Sequence, residues 1–312
     1  MAYYLGIDGG GSKTTCVVGD ESSLLAAVTS GGSNITRVGE AGAREALQQA
    51  IREACLAARI NPQQVLCTCI GAAGAGRAEI ASTVRKIVAE IIPGEIEVVG
   101  DMEIALAAAF GKGPGVIVIA GTGSIVFGRD AQGKVARAGG WGFAISDEGS
   151  AHWIGLAAAR AVLRAADEVG EDQAERDPSW PARRLFSELK MAWSLDSLPQ
   201  LARAANANPD FAALFPAVLT AAEAGDVVAR QVIAEASREL AQLAGIVVRR
   251  LFSAAVSTSA VPMAMAGGVF RHAAMIRELF YNEVRAANPD VVLNPEVVDP
   301  VQGALRMARR AW

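Results

Sequence analysis

The residues that could do chemistry in this sequence are aspartates set beside glycine-rich turns. Asp8 leads into Gly9, Gly10 and Gly11, and Ser12, Lys13, Thr14 and Thr15 follow. Glycine admits positive φ and close backbone approach, so successive N–H groups in such a turn can face an anion. The hydroxyls and Lys13 add donors, and Asp8 supplies a carboxylate suited to a hydrated Mg²⁺. An ordinary hairpin with one spare carboxylate fits the stretch about as well as a phosphate hairpin does. Two other phosphate loops are excluded. A P-loop needs Lys directly after its second glycine and then a helix, whereas here Ser12 intervenes and β-branched residues follow. A dinucleotide fingerprint needs a helix behind its glycines, and none opens here.

Asp101 follows Gly100 where the apolar run 95–99 gives way to the alanine-rich helical stretch 102–110. It can cap that helix, act as a general base beyond a strand's carboxyl end, or do both, because a cap orients its own carboxylate. A second strand–turn–strand unit carries Gly121, Thr122, Gly123 and Ser124 in its turn. Two such hairpins could clamp one polyphosphate, and their recurrence suggests a duplicated architecture with a cleft between the halves. Asn34, in a turn-forming loop, is either a turn residue tolerant of positive φ or an amide offered to a polyol. Trp141 among Gly139, Gly140 and Gly142 is hard to explain by core packing alone, and a ligand-facing loop accounts for it as well. Asp147 stands ahead of a helix it can cap, where Glu148 favours the first turn electrostatically. His152 has no partner at metal-ligand spacing and reads as a packing or surface residue. Gly267 and Gly268 form a further glycine turn behind an apolar strand that starts at Val261.

These residues need alternating strands and helices to position them. Beyond the two strands that flank the first glycine turn, strands are expected at 23–28, 64–70, 95–99, 116–120, 125–128 and 291–293. Helices are expected at 41–58, 80–92, 102–110, 151–169, 211–224, 226–252, 273–286 and 300–311. The polar, proline-punctuated span 172–207 reads as short helices and loops, and 112–115 as a linker. The terminal helix is expected to pack back against the first half.

With 312 residues, 52% of them hydrophobic and 20% charged, the chain can bury two cores. No apolar run reaches the ~20 residues of a membrane span, and no basic leader precedes the first strand, so neither a membrane location nor secretion is expected. A net charge of −4 argues against a non-specific polyanion such as nucleic acid. Cys16, Cys55, Cys67 and Cys69 make no metal or disulfide framework; Cys67 and Cys69 share one face of a strand and read as buried thiols in a reducing cytosol.

The ordered set Asp8-Gly9-Gly10-Gly11, Gly100-Asp101, Gly121-Thr122-Gly123-Ser124, Gly139-Gly140-Trp141-Gly142, Asp147-Glu148-Gly149-Ser150 and Ala266-Gly267-Gly268 resembles a known family. It is similar, over nearly the whole chain, to the N-acetylglucosamine kinase-like branch of the actin-like (ASKHA) sugar kinases, within the BadF/BadG/BcrA/BcrD-type ATPases. The resemblance implies an α/β fold of two RNase H-like (actin-like ATPase) domains with an interdomain cleft. These would be residues 1–112 plus about 293–312, and 113–292. It implies ATP and Mg²⁺ as cofactors, a small amino sugar as partner and a cytoplasmic location, and a homodimer is compatible with it.

Carried over by position, the resemblance makes Gly9, Gly10, Gly11, Ser12, Lys13 and Thr14 the first phosphate loop. Gly121, Thr122, Gly123 and Ser124 would be the second, and Gly267 and Gly268 the adenosine loop. Asp8 would hold Mg²⁺ through water. Asn34, Asp101, Gly140, Trp141, Gly142 and Asp147 would contact the amino sugar, with Asp101 as the base for its O6 hydroxyl. Ser146 stands where many relatives would have glycine. N-acetylglucosamine is the first expectation for the acceptor, with glucosamine and N-acetylmuramate as alternatives. An ATPase activator of a CoA-ester dehydratase or reductase and a non-catalytic sugar-binding protein are the readings from other classes.

Overall fold

The first part of the chain builds one sheet and its covering helices. In the computed structural model, which describes residues 2–207, 209–252 and 260–310, strands β1 (Tyr3–Gly9), β2 (Lys13–Gly19) and β3 (Leu24–Gly31) are followed by helix α1 (Ile35–Ala57). Then come β4 (Val65–Ala72), α2 (Ala78–Ala89), β5 (Glu95–Gly100) and α3 (Asp101–Phe110). The five strands pair in the order β3-β2-β1-β4-β5, with β1 antiparallel to β2 and parallel to β4.

The rest of the chain supplies β6 (Gly115–Ala120), β7 (Ser124–Arg129) and β8 (Val135–Gly139), then α4 (Ala151–Asp167), α5 (Glu171–Arg176), α6 (Arg183–Trp193) and α7 (Leu198–Asn206). It continues with α8 (Phe215–Glu223), α9 (Val227–Phe252), β9 (Val261–Ala266), α10 (Gly268–His272), α11 (Ala274–Ala287), β10 (Val291–Val298) and α12 (Pro300–Ala308). A second five-stranded sheet has the order β10-β9-β6-β7-β8. The chain divides into two compact units: Met1–Ile117, Phe127–Val135 and Asn294–Trp312 in one, Val118–Val126 and Ala136–Leu293 in the other.

In the first unit, apolar side chains on both faces of the sheet create two cores. One face packs Leu5, Ile7, Cys16 and Ile70 against Leu47 and Ile51 of α1 and Val84 and Ile87 of α2. The other packs Cys67 and Cys69 against Ile104 of α3 and Ala304 and Met307 of α12. Glycine makes this second layer close. A Cβ on Gly303 would stand 1.9 Å from the Ile104 carbonyl oxygen, and one on Gly6 would stand 2.4 Å from the Leu305 nitrogen. The four cysteines are free and buried here, and burial pushes each thiol above its ordinary pKa, Cys55 to about 11.

In the second unit α9 packs against α4, α8 and α11. Buried Asp226 joins two helix starts, accepting from the N–H groups of Leu185 at 2.8 Å and Ala229 at 2.9 Å. No single helix among the described residues is long and apolar enough to cross a membrane.

The departures from sequence expectation have local causes. The helix expected from residue 41 begins at Ile35, because Asn34 caps an extra turn that Gly39, at φ 72°, then interrupts. Strand β8 carries no apolar alternation and lies at a sheet edge, so nothing in its sequence announced it. The strand expected at 291–293 runs on to Val298 through Asn294 and Pro295, which an edge strand tolerates because a missing N–H there breaks no ladder. The expected helix end at Ala311 lies outside the described residues.

Candidate active site

In the first unit the candidate residues gather at the carboxyl ends of parallel strands. Asp8 of β1 lies beside Gly71 of β4, and Ala72 of β4 lies beside Gly100 of β5, which Asp101 follows. Both carboxylates therefore sit on the sheet edge where open α/β folds present ligands. The glycine turn between β1 and β2 is closed by the Gly10 N–H donating to the Lys13 carbonyl at 3.0 Å.

A second loop docks on that turn. The Ser33 and Asn34 N–H groups donate to the Gly10 carbonyl at 3.0 and 3.2 Å. A Cβ on Gly32 would meet the Gly11 oxygen at 2.3 Å, so only glycine allows this approach. Thr14 is fully buried and its hydroxyl donates inward to the Ser33 hydroxyl at 2.8 Å, whereas Ser12 and Lys13 are exposed. Ser33, which sequence reasoning passed over as a loop residue, thus braces the hairpin. Asn34 accepts from the Thr36 N–H at 3.0 Å and the Thr36 hydroxyl at 2.6 Å, the N-cap role for which its type is suited.

Asp101 is the first residue of α3 rather than its cap. The cap is Gly100, whose N–H donates to Glu103 Oε1 at 3.0 Å. This leaves the Asp101 carboxylate to its own arrangement: Oδ1 accepts from the Met102 N–H at 3.0 Å. Burial pushes the Asp101 carboxyl above its ordinary pKa, backbone N–H groups of Met102 and Asp101 pull it partly back, and the Glu103 charge pushes it up again.

In the second unit the turn between β6 and β7 is held from several sides. The Gly121 N–H donates to the Gly123 carbonyl at 2.8 Å. The first turn of α4 donates to it, Ala151 N–H to the Gly121 carbonyl at 2.9 Å and His152 N–H to the Thr122 carbonyl at 3.3 Å. Ser124 donates its hydroxyl to the Glu148 carbonyl at 2.7 Å. The α4 start is capped by Ser150, which accepts from the Trp153 N–H at 3.1 Å, so capping falls to Ser150 and not to Asp147. Gly267, at φ 98°, meets the end of β6 so closely that a Cβ would stand 2.2 Å from the Ala120 oxygen. The second and third glycine turns are therefore neighbours.

Asp147 is buried and holds a left-handed backbone at φ 62°, a conformation non-glycine residues adopt at a cost. Its Oδ1 accepts from the Gly142 N–H at 3.3 Å. Burial raises its carboxyl pKa, the Gly142 N–H lowers it, and the Glu148 charge raises it further. Gly139, Gly140 and Gly142 all have positive φ, and together they turn Trp141 out to 68% exposure. The Arg137 guanidinium lies over the Trp141 ring, 4.2 Å from its centre. Ser146 donates to Glu148 Oε2 at 2.8 Å, giving the serine a use that glycine could not supply. His152 packs between the rings of Phe143 and Phe211, at 5.1 and 5.4 Å.

The likeness to known proteins extends over nearly the whole chain. A model of the BadF/BadG/BcrA/BcrD ATPase family matches residues 5–308. The chain is 34% identical over 312 residues to the N-acetylmuramic acid/N-acetylglucosamine kinase of Clostridium acetobutylicum, covering 99% of each. It is 28% identical over 317 residues to the N-acetyl-D-glucosamine kinase of Dictyostelium discoideum, covering 98% of this chain and 97% of that one. The crystal structure of a candidate N-acetylglucosamine kinase from Chromobacterium violaceum matches with a TM-score of 0.75 at 25% identity, covering 99% of each chain.

Proposed function

Because the chain belongs to the BadF/BadG/BcrA/BcrD ATPase family and has the actin-like α/β fold, we propose that it is an ATP- and Mg²⁺-dependent kinase of amino sugars. N-acetylglucosamine is the proposed acceptor and its O6 the attacking oxygen. The full-length likeness to two amino-sugar kinases carries this reading.

Phosphoryl transfer asks a protein mainly for positioning and charge neutralisation. Asp101 takes the hydroxyl proton as the sugar oxygen bonds to the γ-phosphorus and the bond from that phosphorus to the β–γ bridging oxygen breaks, releasing ADP; the base's role is typically worth ~10²–10⁴-fold. The Met102 N–H holds Oδ1, which fixes the carboxylate's orientation, and burial makes the group a stronger base than an exposed aspartate. In this reading the exposed Ser12 and Lys13 of the first hairpin would serve the nucleotide phosphates, and the same role is assigned to Gly121, Thr122, Gly123 and Ser124. Gly267 and Gly268 take the adenosine side. Asn34, Gly140, Trp141, Gly142 and Asp147 contact the sugar.

Among the described residues no cluster of three or more His, Cys, Asp or Glu could form a metal cage. A single partly exposed carboxylate suits a Mg²⁺ that keeps its waters and takes its other ligands from phosphates, so Asp8 would hold it. The ion supplies charge neutralisation on the transferring group. The activator reading requires thiolates able to ligate an iron–sulfur cluster, and burial of all four cysteines with raised thiol pKa opposes it.

The test is Mg-ATP turnover with N-acetylglucosamine, glucosamine, N-acetylmuramic acid and glucose, using Asp101→Asn as control. A phosphorylated amino sugar that disappears with the Asn variant supports the proposal. A basal ATPase indifferent to every sugar and to the substitution overturns it.

A further inference from the structure

We propose that Arg137 is a positioning residue for Trp141: its guanidinium covers one face of the indole and holds the ring so that the other face receives an uncharged sugar. This rests on the amino-sugar kinase reading and adds to it the group that sets the acceptor loop before the sugar arrives.

The backbone cannot aim Trp141 by itself. Gly139, Gly140 and Gly142 have φ values of 70°, 68° and 106°, a region glycine enters at little cost, so the chain on both sides of the tryptophan is permissive. Packing does not aim it either, because the residue is 68% exposed and no aromatic ring stacks on it among the described residues. What fixes the ring is the Arg137 guanidinium, whose central carbon stands 4.2 Å from the ring centre. That lies well inside the ~6 Å over which a cation is drawn to an aromatic face.

Arg137 is anchored in turn. It sits on β8, and its backbone carbonyl accepts from Arg250 Nη1 at 3.1 Å. Its own Nη1 reaches the carbonyls of Gly139 and Gly140 only at 3.4 Å each, the far limit of a hydrogen bond. No carboxylate pairs with it among the described residues. Arg129 of the neighbouring β7 shows the contrast, since its Nη2 donates to the carbonyls of Gly111 at 2.6 Å and Gly113 at 3.1 Å. Arg129 supports backbone through hydrogen bonds, whereas Arg137 lays its planar fork on an indole.

Charge then names the ligand class. From 138 to 150 the only charged residues are Asp147 and Glu148, so the loop repels anions and suits an uncharged acceptor. A pyranose presents C–H groups that are weakly positive at their surface, and the face of an aromatic ring is negative. With one face of Trp141 covered by Arg137, a single face is left for such a ring. N-acetylglucosamine is uncharged and carries the pyranose, so it meets both conditions.

The experiment measures sugar KM, ATP KM and kcat with N-acetylglucosamine for wild type, Arg137→Ala, Arg137→Lys, Trp141→Leu and the double variant Arg137→Ala/Trp141→Leu. Arg137→Ala should raise the sugar KM about two- to fivefold, the scale of an exposed cation–π contact, with kcat and the ATP KM held. Arg137→Lys keeps a cation and should return most of the loss. In the Trp141→Leu background Arg137→Ala should add nothing, because the arginine acts only through the ring. A sugar KM unmoved by Arg137→Ala, or effects that multiply in the double variant, overturns the proposal. A second measurement needs no arginine variant to fold: N-acetylglucosamine should lower acrylamide quenching of wild-type tryptophan fluorescence, and Trp141→Phe should abolish that change. Quenching indifferent to sugar in a wild type that phosphorylates it overturns the assignment and leaves the kinase reading standing. Absence of turnover on every sugar overturns the kinase reading and this assignment with it.

Discussion

The Asp147 carboxylate occupies the space that a side chain on Gly123 would need: a Cβ there would stand 2.7 Å from Asp147 Oδ2. The glycine of one turn is thus the seat of the acid from another loop. Asp147 cannot simply swing away, being buried, tied to the Gly142 N–H and fixed in a left-handed backbone. Gly123→Ala should therefore displace the acid, costing about 1–3 kcal/mol of stability. It should also raise the sugar KM more than the ATP KM. Thermal unfolding and two-substrate kinetics check this, and an unchanged sugar KM would count against Asp147 as a sugar contact.

Asp101→Asn keeps the shape of the side chain and removes the base. We expect kcat to fall by ~10²–10⁴-fold. The folded carboxyl has its pKa raised above 3.8, so the native state holds the proton over the interval where the unfolded chain has lost it. Stability from this group falls as pH rises through that interval and is level above it. At neutral pH the Asn variant should be as stable as wild type or more so. The acid limb of kcat/KM should lie above the range of an ordinary aspartate and be absent from residual activity of the variant.

Gly303→Ala places a methyl 1.9 Å from the Ile104 carbonyl oxygen, against backbone rather than a movable side chain. The α3–α12 contact must open, and a loss of about 3 kcal/mol is expected. Urea unfolding measures it, with any loss of activity following the unfolded fraction.

Thr14→Val deletes the buried hydroxyl that donates to Ser33 at 2.8 Å. Leaving Ser33 without that donor should cost about 1–3 kcal/mol. The double substitution with Ser33→Ala should cost less than the sum of the singles, because the pair acts as one unit. Additive losses in the cycle would mean that the two hydroxyls are not coupled.

Much of this architecture was legible because glycine and strand signals are local. The strand–turn–strand units at Asp8 and at Gly121, and the turn at Gly267, stand where their sequences indicate. What the sequence hid were pairings made across distance. Asp101 has the better type for a cap, yet the cap is Gly100 with Glu103 reaching back, an exchange that depends on the helix start and not on residue preference. Ser33 and Arg137 carry no motif; their importance lies in Thr14 and Trp141, the residues they meet. The proximity of Gly267 to Ala120 joins segments far apart in the chain, and only the sheet order reveals it.

The return of α12 to the first sheet has a consequence for how the protein is made. Ile104, Cys67 and Cys69 wait for Ala304 and Met307 to cover them. At a synthesis rate of roughly 5–20 residues per second, that cover follows α3 by about ten to forty seconds. During this interval α3 alone covers that face of the nascent sheet, while the helices of the second unit leave the ribosome before the first is closed. The first unit to begin is thus the last to be finished, and this face is where a chaperone would find the growing chain.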